Sequence, residues 1–289
     1  MPTTALVLVL GSAVVHAYWN LLYKQAKDKQ AFPVFKSLGS WVIMALLGAI
    51  WWTIEPPTSL EFIPLAVLSG ACYAGYFVFM SAAYERGDLS VVYPISRGVG
   101  PALAAVGGYF VLHERLTAMG VAGIGLILLA VVVISAGSSR DESAKAASPV
   151  AGALFAVLVG VMIAIYGVSD KVGVGIVHPF IFLMFGIGVS LTILLPWQLW
   201  RYGTARMAAG WREEWRLYMG CAALDTSSYL LYLFALRLAN TAYVTPLRSV
   251  SVILAAIAGV TLLKESQGPV RVGAAVVVVA GALLITTMG

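Results

Sequence analysis

The sequence predicts an all-α membrane protein, with ten transmembrane helices arranged as two inverted five-helix repeats around a central cavity. Three observations predict this fold. Of 289 residues, 61% are hydrophobic and only 11% are charged, whereas soluble domains carry about 25% charged residues. The apolar residues form continuous runs long enough to cross a bilayer, and related motifs recur in the two halves of the chain. The composition excludes an ordinary soluble protein, and it excludes a disordered chain, which would lack apolar residues.

Each predicted helix is an apolar run that matches the thickness of a bilayer. A helix needs roughly 20 apolar residues to cross the hydrocarbon core, and ten runs meet this requirement. The backbone of each run is expected to be helical, because the bilayer offers no water to its N–H and C=O groups. The predicted helices span residues 3–23, 32–54, 60–84, 90–112, 117–137, 149–170, 179–201, 215–238, 242–263 and 269–287.

One motif occurs in both halves of the chain. In the first half, a Pro and an Arg precede a stretch at 103–108 that begins Leu-Ala-Ala, and a Glu follows it. The same residue types precede and follow a second such stretch at 254–259. The paired positions are Pro94 and Pro246, Arg97 and Arg248, and Glu114 and Glu265. Because a repeat of five helices is odd-numbered, its second copy must enter the bilayer from the opposite side, as in many secondary transporters. The predicted units are a first repeat over 1–137, a polar linker over 138–148 and a second repeat over 149–289.

Lysine and arginine are distributed unequally between the two ends of the predicted bundle. The loops after helices 1, 3, 5, 7 and 9 hold thirteen of the 18, with Lys36 counted among them, whereas the other end holds three. By the positive-inside rule, both termini are predicted to be non-cytoplasmic, in a bacterial-type inner (plasma) membrane. Since the basic residues lie in short loops, the net charge of +5 indicates membrane topology and not nucleic-acid binding.

Polar side chains inside the runs are the candidate functional residues. His16 and Asn20 are one helical turn apart in helix 1, with Trp19 on the same side. Because such residues avoid lipid, they are predicted to line a substrate path; the alternative is interhelical hydrogen bonding and interfacial anchoring. Tyr76 and Tyr229 lie near the middle of helices 3 and 8, where rings with hydroxyl tips suit a cavity wall or, alternatively, a packed core.

Asp225 is predicted to lie deep in the bilayer, where a carboxylate is costly and by default marks a functional site. It is expected to bind a substrate ammonium or a coupling proton, or else to pair structurally with Arg97 or Arg248. Both arginines follow prolines, and a broken or kinked helix 4 is expected beside Arg97. Together with Tyr93, one turn earlier, the two arginines are predicted to bind an anionic group or to gate the cavity.

The remaining charged residues are expected to be structural. Glu114 and Glu265 end helices 4 and 9 and are predicted to cap the turns that follow. Asp170 and Lys171 end helix 6 and are predicted to anchor it at the membrane interface. The three histidines and two cysteines have no metal-ligand spacing, and no catalytic constellation is found. We therefore expect no enzyme activity, no metal and no cofactor.

These residues resemble a known family. The helix 1 run His16-Ala-Tyr-Trp-Asn20, the paired Pro-Arg-Glu segments and the stretch Gly87–Gly98 are similar to the drug/metabolite transporter superfamily, specifically its ten-helix EamA-type members. The stretch at 87–98 looks like a branch that includes phosphonate-associated membrane proteins. The wider family includes the YddG amino-acid exporters. The fold implied is a basket of two antiparallel five-helix halves around a central cavity.

The function implied by the resemblance is export of small amphipathic metabolites, amino acids first, aromatic ones included, by alternating access. The alternative is uptake of a phosphonate or another organic anion by the same fold. Two rival classes are a lipid-modifying membrane enzyme that uses Asp225 and His16, and a non-transporting scaffold. The expected partners are a small-molecule substrate and the lipid bilayer, with no nucleic acid, and a monomer is the simplest unit. Many family members place their termini in the cytoplasm, whereas the distribution of lysine and arginine predicts non-cytoplasmic termini for this chain.

Overall fold

The chain folds into a bundle of helices. The structure, a computed structural model, describes residues 1–28, 31–86, 89–137, 149–254 and 268–288, and every regular element in these ranges is helical. The helices are α1 (Thr3–Lys24), α2 (Phe32–Ile54), α3 (Phe62–Arg86), α4 (Leu89–Phe110), α5 (Ala118–Gly137), α6 (Pro149–Ile176), α7 (Pro179–Tyr202), α8 (Thr204–Leu238), α9 (Thr241–Arg248) and α10 (Gly268–Met288). Six helices within the described ranges are long and apolar enough to cross a membrane. The linker predicted at 138–148 lies outside the described residues.

Most helix ends lie within two residues of the predicted bounds, and three differ more. Helix α9, predicted over 242–263, ends at Arg248. Helix α6 continues to Ile176 and does not end at 170, while α8 begins at Thr204 and not at 215. At both ends, charged residues interrupt the apolar run without interrupting the helix. Asp170 is fully buried, and the Lys171 ammonium donates to two backbone carbonyls at the end of α8. The predicted helix end at these two residues is therefore wrong.

The break expected in helix 4 occurs instead in the second half of the chain. Helix α4 is continuous past Pro94, so the predicted break beside Arg97 is wrong, while the kink given as its alternative stays a prediction. Helix α9 ends at Arg248, two residues after Pro246. The Ser249 N–H donates to the Pro246 carbonyl at 3.0 Å, an i to i−3 bond, and residues 250–254 are helical again. The i to i−3 bond makes a tightened turn of the 3₁₀ type next to Arg248.

The helices of one half pack mainly on helices of the other half. The contacts are reciprocal when helices 1–5 are matched in order with helices 6–10, as the predicted repeats would match them. Thus α1 packs on α8 and α6 packs on α3. Likewise α2 packs on α8 and α7 on α3, and α1 packs on α9 and α6 on α4. Three further pairs join corresponding helices: α2 with α7, α4 with α9, and α5 with α10. At the α5–α10 crossing a Cβ on Gly123 would lie 2.6 Å from the Gly281 carbonyl oxygen, so only glycine permits this approach. The buried core therefore lies between the halves.

A glutamate joins distant segments at each end of the bundle. At one end, the Glu214 carboxylate accepts hydrogen bonds from the backbone N–H groups of Lys27 and Asp28. At the other end, the Glu114 carboxylate accepts from the N–H groups of Thr241 and Ala242, at 2.6 and 2.9 Å. Glu114 thus caps α9, 127 residues away, and the predicted cap on its own following turn is wrong. The matching prediction for residue 265 falls outside the described residues.

Candidate functional site

Two arginines and a histidine meet at a cavity inside the bundle, which we call the cationic cavity. His16 from α1, Arg97 from α4 and Arg248 from α9 line a space between these helices. Its other lining residues are Pro101, Ile163, Tyr166, Tyr232, Thr245, Ser249, Ser251 and Val252. No carboxylate is among these described lining residues. Two guanidinium groups in such a space favour an anionic ligand.

The tightened turn after α9 places the Arg248 guanidinium over two aromatic rings. Its Cζ lies 5.0 Å from the ring centroid of Tyr229 and 4.7 Å from that of Tyr232, within the range of cation–π contact. Its Nη2 lies 3.4 Å from His16 Nδ1. The face of the guanidinium is therefore held by two rings, and its buried Nε–H has no acceptor among the described residues.

His16 is oriented by two groups that can only donate. Trp19 Nε1 donates to His16 Nδ1 at 3.1 Å, and Arg248 approaches the same nitrogen. Neither indole nor guanidinium can accept, so Nδ1 carries the lone pair and the ring proton lies on Nε2. Asn20 behaves differently, because its Nδ2 donates to the His16 carbonyl of the same helix at 2.6 Å. Asn20 and Trp19 are not among the lining residues described for either cavity.

The two tyrosines predicted in helices 3 and 4 have different outcomes. The Tyr76 hydroxyl accepts from Arg97 Nη2 at 3.4 Å, so Tyr76 borders the cationic cavity through that arginine. Its ring stacks on Tyr73, with centroids 6.4 Å apart. Tyr93 lies on the α4 backbone, and its side chain lies outside the described part of the structure. Tyr76 thus belongs to the wall between the arginines and the groups described next.

Asp225 forms a buried ion pair with Lys36. The Lys36 Nζ lies 2.5 Å from Asp225 Oδ2, and the two side chains are only 2% and 10% exposed. Lys36 also donates to the Tyr73 hydroxyl at 2.7 Å, and it lies over the rings of Trp19, Tyr73 and Phe77. The predicted pairing of Asp225 with an arginine is therefore wrong. Counting Lys36 among the loop residues was also wrong, since it lies in the second turn of α2 and points inward.

The ion pair borders a second space, which we call the ion-pair cavity. It lies between α2, α3, α7 and α8. Its lining combines the ion pair with hydroxyl groups and apolar side chains, namely Lys36, Ser37, Ser40, Ser69, Gly70, Tyr73, Phe182, Leu183, Gly186, Ile187, Asp225, Thr226 and Tyr229. The hydroxyls of Ser37 and Thr226 are buried without a hydrogen-bond partner in the described chain. Helices α2 and α7, which the sequence did not place at a cavity, form half of this wall.

Asp170 is a buried carboxylate beside the ion-pair cavity. Its Oδ1 accepts from the Ser69 hydroxyl at 2.6 Å, and its Oδ2 accepts from the Tyr229 hydroxyl at 2.5 Å. Both hydroxyl groups belong to residues that line the ion-pair cavity. The ring of the same Tyr229 lies under Arg248. Tyr229 therefore connects a buried carboxylate with the cationic cavity.

Sequence reasoning overlooked Lys36 and Asp170 as functional candidates, although both carried a signal. Lys36 already lay inside the apolar run predicted at 32–54. Asp170 is followed by the apolar stretch 172–177, which indicates that the helix continues beyond it. Lys36 was counted as a loop residue and Asp170 was used to mark a helix end, whereas a charged residue embedded in a longer apolar run is a candidate functional group.

Known proteins share both the sequence pattern and the fold of this chain. The EamA-like transporter family matches two stretches, residues 3–136 and 150–287. The multidrug resistance protein EbrB of Bacillus subtilis (strain 168) is 35% identical over 69 residues, which are 24% of this chain and 59% of that protein. EbrB of Bacillus atrophaeus is 33% identical over 79 residues, 26% of this chain and 68% of that protein. A crystal structure with 16% sequence identity has a TM-score of 0.78 and covers 100% of this chain and 98% of its own, which shows a shared fold.

Proposed function

The chain belongs to the EamA-like transporter family, and on that premise we propose that it is a secondary transporter that exports small amphipathic metabolites, with amino acids, aromatic ones included, as the first substrates. It is a multi-pass membrane protein, and membership of a transporter family favours the non-enzymatic interpretation. The observation that carries the proposed substrate class is the cationic cavity inside the bundle.

The substrate carboxylate would bind between the two arginines. Arg248 offers a buried donor, and Arg97 lines the same space. An apolar or aromatic substrate side chain would pack against Tyr166 and Tyr232, whose rings belong to the cavity wall. Such a site combines apolar walls with a few placed polar groups, as small-molecule sites usually do.

Transport would occur by alternating access, with one half rocking against the other. We propose that the halves are residues 1–137 and 149–289, related as inverted repeats. The two matches to one family and the reciprocal helix packing support this division, and both cavities lie where helices of the two halves meet. The residues proposed to line or gate the path remain His16, Trp19, Asn20, Tyr76, Tyr93, Arg97, Asp225, Tyr229 and Arg248.

The proposed location is a bacterial-type inner membrane with both termini outside the cytoplasm. Removing Lys36 from the loop count leaves twelve basic residues at one end against three at the other, so the asymmetry survives. The ion pair of Arg206 with Asp28 and the contact of Arg201 with Glu85 lie at the basic end. Protease accessibility of an N-terminal tag in inverted and right-side-out vesicles tests this orientation, and cleavage only from the cytoplasmic side would reverse it.

The substrate proposal is tested in proteoliposomes with radiolabelled phenylalanine, leucine and glutamate. Because a hydrogen bond to a charged group is worth about 1.5–3 kcal/mol, Arg248→Ala is expected to weaken binding roughly 10- to 100-fold. Arg237→Ala is the matched control, since Arg237 is exposed at the end of α8, and it is expected to transport normally. Absence of flux for every amino acid, or equal flux in both variants, would refute the proposal.

Uptake of a phosphonate or another organic anion is the second candidate. It is favoured by the absence of a carboxylate among the described residues that line the cationic cavity, because an amino acid also carries an ammonium group. A competition assay distinguishes the two candidates. If an alkylphosphonate displaces labelled phenylalanine only weakly, the result supports the amino-acid proposal. Transport of the phosphonate with no transport of zwitterions would replace that proposal with this one.

A further inference from the structure

We propose that Asp170 is the proton-binding carboxyl of this transporter and that Tyr229 couples it to the cationic cavity. This inference rests on the proposed transport function. It assigns to Asp170 the proton site that the sequence predicted for Asp225. The assignment follows from the different partners of the two buried carboxylates.

Asp225 is already neutralised by a cation. Lys36 holds it at 2.5 Å in a nearly unexposed ion pair, and protonating this carboxylate would leave a buried ammonium without its counter-ion. Asp170 is fully buried, and its hydrogen-bond partners are the neutral hydroxyls of Ser69 and Tyr229. No described residue forms an ion pair with it. A buried carboxylate that lacks a paired cation is stabilised when it takes up a proton.

The environment of Asp170 contains few other titratable groups. Helix α3 contributes Cys72 beside Ser69, α8 contributes Tyr229 and Tyr232, and α9 contributes Arg248, which acts on Asp170 from beyond the Tyr229 ring. Helix α4 contributes Arg97 to the cationic cavity. On α6 itself, Tyr166 is a turn away and the Lys171 ammonium is occupied by carbonyls of α8. Helix α7 carries no titratable side chain before Arg201.

A proton can reach Asp170 through its own hydrogen-bond partners. Ser69 and Tyr229 both line the ion-pair cavity, and each hydroxyl is 2.5–2.6 Å from a carboxylate oxygen. A hydroxyl group can accept a proton from water on one side while it donates its own proton on the other. The cavity is therefore the entry route, and the two hydroxyls are the last relay.

The coupling follows from the double role of Tyr229. While Asp170 is ionised, its carboxylate holds the Tyr229 hydroxyl and thereby fixes the ring under Arg248. When the carboxylate accepts one proton from the aqueous phase, it becomes a neutral carboxyl and its hold on the hydroxyl weakens. The ring and the guanidinium are then free to move together. Release of the same proton to the other side restores the first arrangement, so one proton moves inward as one substrate moves outward.

The first experiment compares two transport modes in proteoliposomes. Asp170→Asn is expected to lose accumulation driven by a pH gradient while it retains substrate counterflow, which needs no net proton movement. Tyr229→Phe keeps the ring and removes the hydroxyl, so we expect it to bind substrate and to move fewer protons per substrate. Glu61→Gln, an exposed carboxyl, is the matched control and is expected to resemble the unmodified protein. Gradient-driven accumulation that persists in Asp170→Asn overturns the proposal.

The second experiment needs no substrate. Infrared difference spectra of the purified protein are recorded as the pH is lowered but kept above the range in which exposed Asp and Glu side chains take up protons, near pH 4. They are expected to show the C=O stretching band of a protonated carboxyl. The band should be missing in Asp170→Asn and present in Glu61→Gln. Loss of the band with no amino-acid transport would keep the proton site and refute only the proposed substrate. A band that remains in Asp170→Asn, or that vanishes in Asp225→Asn instead, overturns the assignment.

Discussion

Replacing Lys36 with Met leaves Asp225 buried without its counter-ion. At 2.5 Å and an effective dielectric constant of about 20, two unit charges attract by roughly 7 kcal/mol, and much of this offsets the cost of removing both groups from water. Removing one partner loses the attraction and keeps the cost for the other, so Lys36→Met is expected to destabilise the fold by about 3–5 kcal/mol. The loss should therefore be much larger than for an ion pair at the surface.

Thermal unfolding of the purified protein in detergent measures this effect. Cys72 and Cys221 are buried free thiols, so a thiol-reactive fluorophore reports their exposure on unfolding. The expected decrease in Tm for Lys36→Met is on the order of 10 °C. Lys27→Met is the matched control, because Lys27 and Glu213 are 77% and 62% exposed and 3.9 Å apart. A pair of that kind contributes at most about 1 kcal/mol.

The double variant Lys36→Met/Asp225→Leu completes the test. It removes both charges and leaves an apolar pair of similar size, so it should recover most of the stability that Lys36→Met loses. The reasoning is refuted if Lys36→Met unfolds at the same temperature as Lys27→Met. It is also refuted if the double variant is no more stable than the single one.

Three other perturbations test the packing, the capping and the ionisation inferred above. Gly123→Leu should lower the unfolding temperature by overpacking the α5–α10 crossing, at a cost of about 1–3 kcal/mol. Gly125→Leu is the control, because a Cβ at Gly125 would have open space around it. Equal unfolding temperatures for the two variants would contradict this prediction. Glu114→Gln loses a charged acceptor for two N–H groups at the start of α9 and should destabilise that end by about 1–2 kcal/mol, measured as faster hydrogen exchange at residues 241–244. Burial, and then the charge of Arg237, lower the pKa of His178 below its ordinary value of 6.5. The unfolded chain then binds a proton at higher pH than the folded one, so stability is lost as the pH falls from about 6.5 through the lowered pKa. The prediction is contradicted if the unfolding temperature of His178→Asn falls with pH as steeply as that of the unmodified protein.

The helices could be predicted from the sequence because their cause is local. A bilayer imposes a length on each apolar run and leaves helix as the way to satisfy its backbone, so most bounds lie within two residues of those observed. One deviation is the end of α9, at the turn that follows Pro246, and the other two occur at charged residues. Asp170 and the charged start of α8 were taken as helix ends, yet both remain helical, since hydrogen bonds within the bundle compensate Asp170.

The candidate site could be predicted only in part, because pairing is not local. Burial of Asp225 followed from its position in an apolar run. Its partner Lys36 is 189 residues away, and no periodicity connects them. Likewise the two arginines were expected near each other, but their separation from Asp225 by a wall of tyrosine rings, including Tyr76 and Tyr229, depends on how six helices cross.

The carboxylates that join distant segments also bear on how the chain is made. Glu114 holds the backbone at Thr241 and Ala242, and the backbone after α1 is held by Glu214. A ribosome synthesises the N-terminal half first, so α1 and α4 enter the lipid before the residues that fasten them exist. During biosynthesis the early helices must therefore wait, inserted but unsecured, until about 240 residues have been translated. Stalled or truncated chains should consequently be exposed to membrane proteases.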